Sequence, residues 1–195
     1  IREYQPQDDL KSINWKATAR TGEFKVNQKN YTAEKSVRIF INLEDTGILK
    51  KEDCVEASLQ IATALLLLFL EQGMQVAVYC NGVDVLHNEP CILEAGGGIR
   101  QREAVLRAFA LIDTAKPVRS FTELFSSRLS ESSGALMTCI VSPNAYDDFA
   151  SLILQYHTRH PDMKWFLPYS GTVPPEMEDE LRSLITFISL REESV

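Results

Sequence analysis

The side chains best suited to recognition chemistry are gathered in the opening residues of the chain. Asp8 and Asp9 form an acidic pair, and Trp15, Lys16 and Arg20 combine an aromatic ring with two cations. Tryptophan and arginine are strongly enriched where proteins bind one another tightly. This mixture is not typical of an amphipathic helix or an alternating strand, so we predict a partner-binding surface here. The alternative is a brace, in which Trp15 packs onto the sheet and Arg20 pairs with Asp8 or Asp9.

A glycine run offers a second candidate site. Gly96-Gly97-Gly98 precedes a predicted helix with Arg100 and Arg102 in its first turn. Free backbone N–H groups at a helix N-terminus can bind phosphate. The run matches neither G-x-G-x-x-G after a strand nor the Gly-Lys-Ser/Thr ending of a phosphate-binding loop. We therefore interpret it as a tight connection at the edge of a sheet.

The remaining reactive residues form no catalytic or zinc-binding pattern. His157 and His160 lie near a predicted helix end without a third ligand, and Asp147-Asp148 suits a first helical turn, where acids complement the helix dipole. The cysteines share no C-x-x-C spacing and are expected to be reduced core residues of an intracellular protein. They are Cys54, Cys80, Cys91 and Cys139. We therefore predict that the chain is not an enzyme and needs no cofactor.

Length and charge limit the classes of function further. The 195 residues suffice for one domain with a small appendage, and the net charge of −7 argues against a nucleic-acid-binding protein. Cations nevertheless cluster in the first 38 residues: Arg2, Lys11, Lys16, Arg20, Lys25, Lys29, Lys35 and Arg38. A basic segment on an acidic body suits an acidic protein partner or an anionic membrane surface, and a solvated basic face is the simpler interpretation.

The sequence also bears on membrane insertion. The chain begins at Ile1 with no signal peptide, so we expect a fragment of a longer protein. Its most apolar run, Ile61 to Leu70, spans ten residues, whereas a membrane-crossing helix needs about 20. We predict that this run is the middle of a helix buried on most sides, and that this piece contains no membrane span.

Apolar runs and turn signals predict alternating strands and helices. The predicted strands are Ser36–Leu43, Gln75–Cys80, Val83–Leu86, Ala135–Val141, Met163–Leu167 and Thr186–Leu190, and the predicted helices are Glu52–Gln72, Arg100–Ile112, Ser120–Leu129, Tyr146–Thr158 and Pro175–Leu184. Asn81-Gly82 predicts a hairpin turn, and residues 87–98 are expected to be irregular. This order predicts an α/β fold with an open, mostly parallel sheet, flanking helices and one antiparallel edge strand. We place a basic opening segment at residues 1–35 and the α/β domain at residues 36–195.

The opening segment closely resembles the bacterial family named domain of unknown function fifty-eight. Members begin this region with a tyrosine, a proline, a paired-acid turn and a Trp-Lys-Ala-x-Ala-Arg-x-Gly run. Here these are Tyr4, Pro6, Asp8-Asp9 and the run from Trp15 to Gly22. The glycine–arginine helix start at Gly96–Arg102 is also similar. The resemblance implies a von Willebrand factor A-like, Rossmann-type fold.

That fold implies a place to look for metal. Von Willebrand A domains hold a divalent ion with an Asp-x-Ser-x-Ser motif after the first central strand. In this chain Asn42, Glu44 and Thr46 occupy those places. Asn offers a neutral carbonyl and Glu a longer arm, both poor substitutes for the octahedral geometry that Mg²⁺ demands. A degenerate metal site is therefore the less favoured interpretation, and an ordinary polar turn the favoured one.

The resemblance also implies a function. Full-length members commonly carry transmembrane helices before this region, and their genes often lie beside those of MoxR-type AAA+ ATPases. It implies the cytoplasmic part of a membrane-anchored protein, acting as a non-catalytic adaptor for such an ATPase in the assembly or maturation of other proteins. Two alternatives remain: a metal-dependent adhesion module that uses Mg²⁺, and an uncharacterised hydrolase or transferase.

Overall fold

The computed structural model describes residues 2–3, 13–26, 36–44, 52–116, 118–131 and 135–190. The chain divides into two units, Ile1–Ala33 and Glu34–Val195.

The first unit contains one short helix and a small sheet. Strand β1 (Arg2–Glu3) pairs antiparallel with β2 (Lys25–Val26), and helix α1 (Trp15–Thr21) lies between them in the chain. An ion pair supports the sheet, since Lys25 Nζ lies 3.4 Å from Glu3 Oε1. The unit therefore has regular structure of its own around the sequence motif.

Helix α1 was not expected from its side-chain mixture, but both of its ends carry strong signals. Asn14 Oδ1 accepts a hydrogen bond from Ala17 N at 2.9 Å, as an N-cap residue does. Gly22 has φ of 71° and donates its N–H to Thr18 O, which ends the helix in the left-handed conformation that glycine adopts most easily. Capping residues, rather than an apolar stripe, define this helix.

The second unit is a six-stranded sheet with helices on both faces. Its strands are β3 (Ser36–Ile41), β4 (Gln75–Val83), β5 (Pro90–Gly96), β6 (Met137–Val141), β7 (Met163–Tyr169) and β8 (Ile185–Ser189). Its helices are α2 (Glu52–Glu71), α3 (Gly98–Ala110), α4 (Phe121–Glu131), α5 (Asp147–His157) and α6 (Asp179–Arg182). The strand order is β5-β4-β3-β6-β7-β8, parallel except for the antiparallel β4–β5 pair at one edge. The predicted fold class is confirmed.

Two apolar layers hold the helices to the sheet. Side chains alternate along β3, so that Ile39 and Ile41 face one layer while Phe40 faces the other. The first layer contains Leu66 of α2 and Val105 of α3. The second is aromatic, with Phe40, Phe121, Phe125, Phe149 and Trp165 among its buried members. Burial on both faces explains why β6 is an almost continuous apolar run and why β3 is apolar apart from Ser36 and Arg38.

Helix α2 packs most of its sides against the core and leaves one side exposed. Among the described residues it is the one helix long and apolar enough to cross a membrane, although the core helix of a soluble protein passes the same test. Its most apolar window has a mean hydropathy of 1.7, and 33% of that window is buried. One face, including Ala62, Leu66 and Phe69, packs in the core. Within residues 61–70 the exposed side chains are Ala64 and Leu68, one turn apart, so most sides of this run are buried or half-buried, as predicted.

The predicted position of the hairpin turn, at Asn81-Gly82, is wrong, because both residues lie inside β4. The chain turns later, between Asp84 and Glu89, where Asp84 Oδ1 accepts hydrogen bonds from Leu86 N and His87 N. Strand β5 then occupies a stretch that was expected to be irregular. A Cβ added at Gly82 would lie 2.7 Å from Leu43 Cδ1, so close packing in a bulged strand, not a turn, requires glycine there.

Candidate functional site

The candidate site lies where three parallel strands end side by side. Asn42 follows β3, Ser142 follows β6, and Asn81 lies near the end of β4. The strand order reverses at β3, with β4 on one side and β6 on the other. In open α/β sheets, ligands bind at the carboxyl ends of the strands at such a switch point. All three side chains are fully buried.

Asn42 and Asn81 lock β3 to β4 through their side-chain amides. Asn42 Oδ1 accepts from Asn81 Nδ2 at 3.0 Å and from Glu44 N at 2.9 Å. Asn81 Oδ1 accepts from Leu43 N at 2.8 Å, while its Nδ2 also donates to Arg119 O at 3.1 Å. Turning either amide over would set donors against donors, so the network fixes both orientations.

Ser142 extends this network across the switch point. Asn42 Nδ2 donates to Ser142 Oγ at 3.2 Å, which joins the ends of β3 and β6. The same hydroxyl oxygen accepts from Asn144 N at 3.1 Å, and Asn144 Oδ1 accepts from Tyr146 N at 3.1 Å just before α5. The Ser142 carbonyl accepts from Trp165 Nε1 at 3.1 Å. The loop after β6 is therefore shaped by turn hydrogen bonds.

Glu44 follows Asn42 closely in the chain, and its carboxylate accepts a hydrogen bond from the N-terminus of a helix. Glu44 Oε1 accepts from Phe121 N at 2.8 Å, at the first residue of α4. A carboxylate at a helix N-terminus satisfies an otherwise unpaired N–H and complements the helix dipole. Glu44 therefore acts as a cap supplied from 77 positions away along the chain.

These residues do not fit a divalent ion. An ion needs oxygen lone pairs directed at a common point, yet Asn42 Oδ1 already accepts two hydrogen bonds. Ser142 Oγ also accepts two. Within the described residues, no group of three His, Cys, Asp or Glu side chains is placed to hold a metal. Asn42 and Glu44 do lie together as the motif comparison implied, while Thr46 lies outside the described residues.

Sequence reasoning missed Asn81, although a signal for it exists. The Asn81-Gly82 pair predicts a hairpin turn, and a turn gives no reason to expect a buried amide. The asparagine follows a buried apolar run in β4, as Asn42 follows one in β3, and Ile41 pairs with Cys80 in the register. Two asparagines at matching positions after neighbouring parallel strands should meet at the same sheet edge.

The structure describes three of the five candidate residues in the opening segment. Asp8 and Asp9 lie outside the described residues. Trp15, Lys16 and Arg20 all lie on α1 and are exposed, Trp15 to 66%. Phe24 is also exposed, and its ring centroid lies 6.4 Å from that of Trp15 in an edge-to-face arrangement. We name Trp15, Lys16, Arg20 and Phe24 the α1 surface.

The glycine run forms the expected tight connection, between β5 and α3. Gly98 begins α3 with φ of 67°, in the left-handed region. Gln101 crosses the connection, because its Nε2 donates to Val76 O at 2.7 Å and to Glu94 O at 2.9 Å. A Cβ on Gly96 would lie 2.5 Å from Gln101 Oε1. Close approach of Gln101 therefore accounts for Gly96, and a left-handed backbone for Gly98.

The cysteines and Tyr79 of the second unit are buried, as residues with a structural role are. All four cysteines are free and buried. Burial raises the pKa of the Cys91 and Cys139 thiols to about 12 in each case, so both stay protonated at neutral pH. Burial also raises the pKa of Tyr79, whose hydroxyl donates to Glu94 Oε2 at 3.2 Å. Arg128 Nη1 lies 3.1 Å from Glu94 Oε1, which ties α4 to β5.

The fold and the polar cluster at its switch point define a class of protein. A mostly parallel sheet with helices on both faces and one antiparallel edge strand is consistent with a Rossmann-like domain of the von Willebrand factor A type. The chain belongs to the family described as "Protein of unknown function DUF58", which matches residues 1–155. This match confirms the resemblance seen between Tyr4 and Gly22. No curated protein matches the chain.

Proposed function

We propose that this chain is a non-catalytic protein-binding domain that uses the α1 surface to recognise a partner. The observation that supports this most is the exposure of Trp15, at 66%. Caps at Asn14 and Gly22 hold the short helix in place, so little conformational entropy is lost when the ring is covered. An exposed tryptophan and an exposed arginine on one short helix have the composition of a binding hot spot.

Charge supports an acidic patch on the partner. Helix α1 carries Lys16 and Arg20 one turn apart and contains no acidic residue. Residues 1–33 hold six Lys and Arg against four Asp and Glu, whereas the rest of the chain holds 14 against 23. Opposite charge across an interface raises association rates and selects among partners. The partner surface should therefore combine a pocket for an aromatic ring with carboxylates at its rim.

The family resemblance makes a MoxR-type AAA+ ATPase the first partner to test. In this proposal the chain links the ATPase to proteins that it assembles or matures. The experiment is isothermal titration calorimetry of the chain into the purified ATPase from the same organism, in its ATP-bound and ADP-bound states. Saturable binding in either state is expected. Absence of binding in both states would remove the ATPase as partner.

On the same resemblance we propose that the full-length protein is anchored in the membrane, with this chain on the cytoplasmic side. Four free, buried cysteines suit a reducing compartment. Green fluorescent protein fused to the C terminus of the full-length protein is expected to fluoresce, and alkaline phosphatase fused there is expected to be inactive. An active phosphatase fusion would place the domain outside the cytoplasm.

A further inference from the structure

A groove of about 510 Å³ lies on the outer side of the second unit, between α2 and the end of α3. Its apolar lining comes from Leu59, Ala64 and Leu67 of α2, and from Phe109 and Ile112 at the end of α3. The volume falls in the usual range for binding sites. The groove shares no residue with the α1 surface or with the Asn42–Asn81–Ser142 cluster.

The side of α2 that faces the groove mixes apolar and polar residues, since Leu59, Ala64 and Leu67 lie among Glu56, Gln60 and Thr63. Helices that pack one face on a sheet normally present polar residues on the other. Here only 33% of the most apolar window of α2 is buried. Ala64 is exposed and Leu68, one turn further along, is 48% exposed. Exposed apolar side chains with polar residues at their rim are typical of an interaction site.

Acidic side chains distinguish one end of the groove. Glu56 is the charged residue among the described groove-lining side chains, and the exposed Glu52 and Asp53 lie in the first turn of the same helix. An occupant that complements this surface is apolar along most of its length and cationic at one end. An anionic lipid surface would be repelled by the same acids.

We propose that the groove binds an amphipathic helix from a partner protein. Its apolar residues, spaced at i, i+3, i+4 and i+7, would pack against Leu59, Leu67 and Phe109, with a Lys or Arg over Glu56. A helix fits a channel that two helices form, since its side chains fill the space between theirs. The choice of a protein as occupant rests on the proposed adaptor function, but the residues involved are different.

The test uses fluorescence anisotropy with a labelled amphipathic peptide of about 18 residues, with leucines at the helical spacing and lysines elsewhere. Saturable binding to the intact chain is expected. Ala64→Arg should weaken it at least tenfold, because the new side chain fills the groove and adds a cation. Ala110→Arg is the matched control, since Ala110 is exposed on α3 and does not line the groove. It should leave affinity unchanged.

Charge reversal tests the orientation of the occupant. Glu56→Lys should weaken the lysine peptide and strengthen a version that carries glutamates in place of lysines. Trp15→Ala combined with Arg20→Ala should leave peptide affinity unchanged. If the unaltered chain binds the peptide but does not bind the ATPase, the ATPase is removed as the partner of the α1 surface while the groove proposal stands.

Several results would overturn the groove proposal. These are equal binding of a scrambled peptide, equal loss in the Ala64 and Ala110 variants, and no saturable binding of either charged form. Concentration-dependent dimerisation that Ala64→Arg abolishes, measured by sedimentation, would assign the groove to a second copy of this chain. Binding to neutral phospholipid vesicles that Ala64→Arg abolishes would assign it to a membrane.

Discussion

Replacing Asn81 with alanine is expected to lower the free energy of unfolding by roughly 2–6 kcal/mol, because three groups each lose a hydrogen bond and two of them, which do not keep a bond such as that from Glu44 N to Asn42 Oδ1, cost about 1–3 kcal/mol apiece. The groups are Leu43 N, Asn42 Oδ1 and Arg119 O. Global stabilities are typically about 5–15 kcal/mol, so this single change removes a large share. Urea denaturation followed by circular dichroism measures the loss as a lower midpoint at unchanged m-value.

Two further variants separate the network from general sensitivity to mutation. Gln155→Ala, at an exposed position on α5, should change stability by no more than about 0.5 kcal/mol. Asn81→Asp keeps an acceptor for Leu43 N but sets a carboxylate oxygen against two other oxygens, so at neutral pH it should cost at least as much as alanine. If Asn81→Ala costs no more than Gln155→Ala, the amide network does not hold the strand ends together.

The double change Trp15→Ala and Arg20→Ala is expected to weaken partner binding by about 100-fold or more, since hot-spot side chains contribute 2 kcal/mol or more each and 1.4 kcal/mol is tenfold. Both side chains are exposed on α1, so the fold should survive their removal. Calorimetric titration into the ATPase measures affinity, and thermal unfolding reports on the fold.

The matched control removes an exposed apolar residue and an exposed arginine elsewhere. Val173→Ala with Arg182→Ala meets this need, since Val173 is 72% exposed and Arg182 is exposed on α6. Its affinity should equal that of the unaltered chain. If instead the Trp15 and Arg20 double variant unfolds while the control stays folded, the opening segment is a brace and the binding proposal loses its support.

The sheet could be predicted because its strands carry redundant signals. β3 and β6 are mostly apolar, and their two faces pack against separate helical layers. α2 was predicted to within a residue by its long apolar pattern and Gly73, which has φ of 73°. Only the parallel order of β3, β4 and β6 brings Asn42, Asn81 and Ser142 together, since 100 residues separate the first from the last.

The misses have local causes. Asn-Gly favours a hairpin turn on intrinsic preference, but tertiary packing of Gly82 against Leu43 and Ile112 outweighs that preference. The predicted helix at Pro175–Leu184 forms only as Asp179–Arg182. Its capping pattern did not specify where it begins, and its Glu178 N-cap makes no side-chain cap hydrogen bond. Helix α1 was missed because its seven residues form no apolar stripe, and only the residues at its two ends, Asn14 and Gly22, indicate a helix.

The side chains of the strand-edge cluster already satisfy one another by hydrogen bonds, and we propose that recognition uses the α1 surface and not an ion at this edge. The most direct test is thermal unfolding of the chain in Mg²⁺, Mn²⁺ or Ca²⁺, with Glu44→Ala as the comparison. A bound ion at a hundredfold excess over its Kd adds about 2.7 kcal/mol and would raise Tm by roughly 5–10 °C. We expect Tm to be unchanged in all three ions. A rise of that size that disappears in Glu44→Ala would show that an ion binds to the strand-edge cluster. The partner site would then be expected at the carboxyl edge of the sheet.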